Sequence, residues 1–283
     1  MPAHLFTVDV EDYFHVSAFD DVVPRASWKT FASRVHIGTD RLLDLLAASG
    51  ATGTFFVLGW VAREHPELVR RIAAAGHEIG SHTFWHRRVP TVTPAEFRED
   101  LIASKQVLED LTGEAVQGFR APSFSLVPGT EWVFDELLHA GFRYDSSVFP
   151  IRRPGYGYPS APLAPYRVER EGGTLMEFPM AVFDVAGTRL PAAGGGYLRH
   201  FPLGIIQRAF RQQARRGPGV FYVHPWELDP DQPRLAVSTL TRVRHYRGLA
   251  SSAARIRTLL EEFQFTSIRE WLQPAEAAQG SPR

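Results

Sequence analysis

Short apolar runs alternate with helical spacings along the first half of the chain. Residues 5–10 form an apolar run with β-branched content and read as a first strand. From 39 to 49, Leu42, Leu45 and Leu46 recur at helical spacing, and Gly50 supplies a stop. Residues 54–58 are continuously apolar, as expected of a strand buried on both faces. A helix over 66–75 ends at Gly76, and a third strand over 77–80 leads directly into His82 and His86. Thr93-Pro94-Ala95-Glu96 has the spacing of a capping box with proline at the first helical position, which predicts a helix from there to about Thr112. Strands are expected at 118–120 and 143–145, with a helix at 132–140 between them. Repeated strand–helix units of this kind argue a parallel sheet or barrel with helices outside. In such folds ligands sit beyond the carboxyl ends of the strands.

The pattern breaks between about 150 and 200, which is rich in glycine, proline and tyrosine. This stretch reads as a long excursion over the active face, with a hairpin near Gly172-Gly173 leading into a strand at 175–178. Regular spacing returns with a helix at 203–215, a strand at 220–223, a helix at about 251–263 and a strand at 265–268. The tail after Gln273 is expected to fray. No repeat or linker interrupts the chain, so residues 1–283 are expected to form one domain with a core at about 5–270.

Composition removes several classes of function. Lysine plus arginine and aspartate plus glutamate number 31 each, which gives no basic excess for nucleic acid. The chain has no cysteine, so any metal must rest on histidine and carboxylate ligands. No run approaches the ~18 apolar residues of a membrane span. With no leader pattern at the N-terminus, the expected location is the cytoplasm.

The candidate chemistry begins with His82-x-x-x-His86, whose spacing lets two imidazoles aim at one point. A catalytic zinc normally takes three protein ligands and keeps one position open. The third should be a carboxylate or another histidine, and Asp9, Glu11 and Asp12 stand at the end of the first strand.

Asp9 with its neighbouring carboxylates, His82-x-x-x-His86, Phe119-Arg120-Ala121-Pro122 and Val223-His224 occur in the order found in the polysaccharide deacetylases, and the chain resembles that family. It is also called the NodB-homology or carbohydrate esterase 4 family, and the elements span residues 7–224. The opening Asp9-Val10-Glu11-Asp12-Tyr13-Phe14-His15, the Gly194-to-Arg199 loop and His224-Pro225-Trp226-Glu227 look like a branch that accompanies exopolysaccharide biosynthesis and exosortase systems. The resemblance implies an α/β fold, a deformed (β/α) barrel, and removal of N-acetyl groups from hexosamine units of an exopolysaccharide or its precursor. It implies one divalent metal, zinc by preference, and association with synthesis machinery.

Roles carry over residue by residue. The resemblance makes Asp9 the base, Arg120 its orienting partner and His224 the acid that protonates the departing amine. The family's opening has two adjacent aspartates, the second binding metal. Here Val10 follows Asp9, so the carboxylate ligand is Glu11 or Asp12. Strand alternation favours Glu11, whereas a turn after Val10 favours Asp12, and Asp12 is the expected ligand with His82 and His86. Asp184 is the expected carboxylate partner of His224, with Asp145 as the alternative. Tyr156, Tyr158, Tyr197 and Trp226 are expected to stack on sugar rings, and Ser146 and Ser147 to offer hydroxyl contacts. Two other functions fit the same residues: a small-molecule amide hydrolase on this fold, or a saccharide-binding module without turnover.

Overall fold

The structure, a computed structural model, describes residues 3–153 and 155–279. Among these, the strands are β1 (His4–Val10), β2 (Thr54–Val57), β3 (Glu78–Ser81), β4 (Gly118–Phe119), β5 (Tyr144–Asp145), β6 (Tyr166–Arg170), β7 (Gly173–Glu177), β8 (Val182–Val185), β9 (Thr188–Pro191), β10 (Val220–Val223) and β11 (Phe265–Thr266). The main sheet runs β10-β1-β2-β3-β4-β5-β7-β6, with β11 on the start of β1. All its pairings are parallel except β6 with β7.

Every residue of β1, β2 and β10 is buried, as strands covered on both faces must be. Regular pairing does not join β7 to β10. Instead, Met180 bridges Val220 of β10, its N–H donates to Val148 O at 3.0 Å, and Gly194 bridges Tyr222. This patchwork on one side is the deformation of the barrel. The expected α/β barrel is the fold observed.

Most of the expected elements form, with shifted ends. The helix expected from 39 begins at Val35, because Asp12 accepts from the N–H groups of Arg34 and Val35 at its start. The capping box of Thr93 and Glu96 forms in both directions and opens the helix Pro94–Thr112.

One expectation is corrected, and several elements are added. The tail after Gln273 continues a helix, Ile268–Gln279, started by Ser267 Oγ accepting from the Glu270 N–H at 3.2 Å. That Ser-x-x-Glu spacing was the available signal. Only residues 280–283 of the tail lie outside the described residues. The hairpin expected near Gly172-Gly173 forms as β6–β7, and the stretch 150–200 also holds the separate hairpin β8–β9 and the helix Gly196–His200, which the sequence pattern did not show; Pro154 within it lies outside the described residues. The helices Gly59–Glu64 and Thr239–Tyr246 had no counterpart in the sequence pattern. Among the described residues, no helix is long and apolar enough to cross a membrane.

Candidate metal and catalytic site

The polar groups gather at the carboxyl ends of β1, β3, β4, β5 and β10. Thr7 and Asp9, two apart on β1, share one face and both meet Arg120. Arg120 Nη1 donates to Thr7 Oγ1 at 2.7 Å and to Asp9 Oδ1 at 2.8 Å, its Nε to Ser146 O at 2.8 Å and its Nη2 to Ser146 Oγ at 2.8 Å. The guanidinium lies 4.3 Å from the Phe56 ring centre and is fully buried. A buried cation needs this full set of acceptors, because one left unpaired inside a protein is costly. The outcome is a carboxylate, Asp9, held at a fixed angle.

His82 follows β3 and His86 comes one loop later. His82 Nδ1 lies 2.8 Å from Arg120 O. A carbonyl can only accept, so Nδ1 carries the proton and Nε2 keeps its lone pair free. Burial pushes the pKa of His82 down to about 4, so its ring is neutral at pH 7. The loop itself is strained: Thr83 and His86 both take positive φ, at 63° and 52°. Asp100 holds it, accepting from Phe84 N at 2.5 Å and Trp85 N at 3.1 Å, while Gly59 N donates to Thr83 O at 2.8 Å. The sequence reading passed over Asp100, although it interrupts the buried helical face of Phe97, Leu101 and Leu108.

Beside the two histidines stands Glu11, and the expectation of Asp12 is corrected. Glu11, His82 and His86 each offer one ligand atom, all within 4.8 Å of one another. Asp12 is occupied elsewhere, accepting from Ser33 Oγ at 2.6 Å, Arg34 N at 2.9 Å, Tyr13 N at 2.9 Å and Val35 N at 3.2 Å. It serves the N-terminus of the helix Val35–Ser49, where unpaired N–H groups and the helix dipole favour a carboxylate. The chain turns tightly after Val10, with Glu11 N donating to Asp9 O at 3.0 Å. Strand alternation was therefore the better guide.

The group fits a divalent cation. Glu11 Oε2 lies 2.8 Å from His86 Nε2 without hydrogen-bond alignment, leaving a buried carboxylate oxygen with no hydrogen-bond partner. Burial alone raises the Glu11 pKa, but the charges of His86, His224 and His82 outweigh it and hold the group well below the usual carboxylate range. An ionised carboxylate, a neutral imidazole and a second imidazole within reach form a donor set suited to zinc.

His224, just past β10, completes the site. Its Nε2 is 3.4 Å from Glu11 Oε1 and 3.9 Å from Asp9 Oδ2, and its Nδ1 is 2.8 Å from Glu227 Oε1. Burial lowers its pKa, but the hydrogen bond to Glu227 and the charges of Glu11, Glu227 and Asp9 together raise it to about 9. The partner is thus Glu227, three residues on, and not Asp184 or Asp145. Asp184 lies on the outer hairpin and pairs with Arg216 at 3.2 Å, whereas Asp145 is buried and accepts from Ser147 Oγ at 2.5 Å. His224 and Glu227 have capping-box spacing around Pro225, a signal that was present in the sequence.

The expected substrate contacts fare differently. Ser146 is fully buried and serves Arg120 and Phe178 O, so it is part of the support. Ser147 Oγ accepts from Ala121 N at 2.7 Å. Trp226 is buried, stacked on His224 at 4.9 Å and on His245 at 4.2 Å, with its Nε1 3.4 Å from Glu11 Oε1. It stacks on imidazoles, and no face is left for a sugar. Tyr197 and Tyr156 are half-buried with their hydroxyls joined, and Tyr158 donates to Glu131 Oε1 at 2.6 Å.

Residues 16–137 match the model of the polysaccharide deacetylases. Over this stretch, somewhat under half of its length, the chain is similar to that family. Residues 146–273 match a model described as a domain of unknown function, DUF3473. The deacetylase match carries His82, His86 and Arg120, and the second match carries Ser146, His224 and Glu227. Curated relatives include a peptidoglycan-N-acetylglucosamine deacetylase of Bacillus cereus, 38% identical over 84 residues, which are 30% of each chain. A peptidoglycan-N-acetylmuramic acid deacetylase of Bacillus subtilis is 30% identical over 105 residues, covering 37% of this chain and 39% of that one. The matches therefore span well under half the length of these relatives. Among solved structures, a candidate polysaccharide deacetylase from Mycobacterium smegmatis superposes with a TM-score of 0.62 at 20% identity, covering 100% of this chain and 97% of that one. Puue allantoinase gives 0.58 at 17% identity, covering 93% and 86%. Both are similar in fold.

Proposed function

We propose that this chain is a metal-dependent hydrolase that removes N-acetyl groups from hexosamine units of an exopolysaccharide or its precursor, working as one catalytic unit. The observation that carries the reading is the convergence of Asp9, Arg120, His224 and the Glu11–His82–His86 group at one end of the barrel. A divalent ion, zinc by preference, would rest on Glu11, His82 and His86 and would polarise the acetyl carbonyl and acidify water. Asp9, aimed by Arg120, takes the proton from the attacking water. His224, protonated at neutral pH, gives its Nε2 proton to the nitrogen as the C–N bond breaks, leaving acetate and a free amine. Glu227 holds the other ring nitrogen and fixes where Nε2 points.

Named deacetylases of peptidoglycan and chitooligosaccharides among the relatives support the sugar amide as the substrate class. The exopolysaccharide assignment rests on the Asp9-to-His15, Gly194-to-Arg199 and His224-to-Glu227 segments. The test is acetate release by the zinc-loaded protein from N-acetylated chito-oligosaccharides and an acetylated exopolysaccharide, with a small cyclic amide as comparator. Release from the saccharides, abolished by Asp9→Asn, is expected. A zinc-loaded protein that cleaves only the cyclic amide, or nothing, would overturn the proposal.

A further inference from the structure

Behind His224 lies a second buried charge that the proposed reaction does not use. Glu227 Oε2 accepts from Arg199 Nε at 2.7 Å, and both side chains are buried. Arg199 Nη1 donates onward to His245 O at 2.7 Å and Arg247 O at 2.9 Å. Its guanidinium also sits 5.4 Å from the ring centre of Trp226, the residue stacked on His224. One cation thus contacts the partner of His224 and the ring packed on its face.

The chain is built to bring it there. Gly194 and Gly195 have φ of 128° and 55°, and a Cβ on either would lie 2.0 Å from Tyr222 O or 2.5 Å from Tyr222 Oη. Only glycine lets this segment cross the backbone of β10, where Gly195 N donates to Tyr222 O at 3.0 Å. The helix Gly196–His200 begins at that crossing and points Arg199 at Glu227. Burial raises the Glu227 pKa, but the charge of Arg199 and the bond to His224 pull it down to about 2.

We propose that Arg199 is a positioning residue for the acid half of the reaction: it fixes the Glu227 carboxylate, and through it the direction of His224 Nε2. The inference rests on the deacetylase reading. Lysine at 199 keeps the charge but cannot donate along the same fork to Glu227 and two carbonyls. The defect belongs to one step, proton delivery to the leaving amine. An aryl acetate ester breaks its C–O bond and releases a phenolate that needs no proton, so its cleavage is indifferent to the aim of Nε2.

The experiment compares the native zinc-loaded protein with Arg199→Lys and Arg199→Met on an N-acetylated chito-oligosaccharide and on a nitrophenyl acetate. The readout is the ratio of amide to ester kcat within one preparation, so any unfolded fraction cancels. The expected result is an amide kcat lower by about 10–100-fold with KM nearly unchanged and ester turnover within about threefold of native. Equal losses on both substrates, or no loss on the amide, would overturn the inference while leaving the deacetylase reading standing. A native protein that releases acetate from neither substrate would overturn both.

Discussion

Glu11 and Asp12 are adjacent buried carboxylates with different surroundings. Glu11 faces imidazoles, and Asp12 faces the backbone N–H groups of a helix start. Asp12→Ala should lower stability by about 1–2 kcal/mol, measured by urea unfolding, with metal affinity unchanged. Asp9→Asn should retain the metal and lower kcat by about 10²–10⁴-fold, because it removes only the proton acceptor. At this scale the sequence announced Asp9, His82, His86, Arg120 and His224, since each stands at a strand end within a recognisable order. It could not announce that Ser146 and Trp226 are buried, because burial depends on what packs above them. Glu227 was not legible as the partner because the family pattern implies an aspartate, whereas the carboxylate beside His224 is a glutamate three residues on.

The loop from His82 to His86 is the element on which the metal site depends. Two residues at positive φ do not hold their shape alone, and the clamp comes from Asp100 on another helix. Asp100→Ala leaves the Phe84 and Trp85 N–H groups without their acceptor and should destabilise the fold by about 2–3 kcal/mol. Titration calorimetry should also show weaker zinc binding, while Asp100→Asn, which keeps one acceptor, should lose less. Strands β1, β2 and β10 and the capped helix Pro94–Thr112 were legible because each combines an apolar pattern with a defined stop or start. The helix Gly196–His200 was not. A run of three glycines reads as loop, and its order comes from crossing β10.

Over the whole molecule the barrel separates two ends with different tasks. The site occupies the carboxyl end, and His4 lies at the other, between Phe210, Phe263 and Phe265. Burial lowers its pKa from 6.5 to about 4. The unfolded chain therefore takes up a proton below pH 6.5 that the folded chain refuses until about 4, and His4 contributes a loss of stability as pH falls through that window. Replacing it with Asn, which can still accept from the Gly219 N–H, should narrow the stability gap to native by about 2–3 kcal/mol between pH 6.5 and 4. Barrel closure was the least legible feature, because Met180 and Gly194 close it through isolated bridges that have no strand signature. The central claim is that Glu11, His82 and His86 form one metal centre, and metal content per chain after dialysis against zinc tests it most directly. The account predicts about one zinc in the native protein and in Asp12→Asn, and none in Glu11→Gln or His82→Ala. Folded native protein without zinc, or zinc lost from Asp12→Asn and kept by Glu11→Gln, would contradict it.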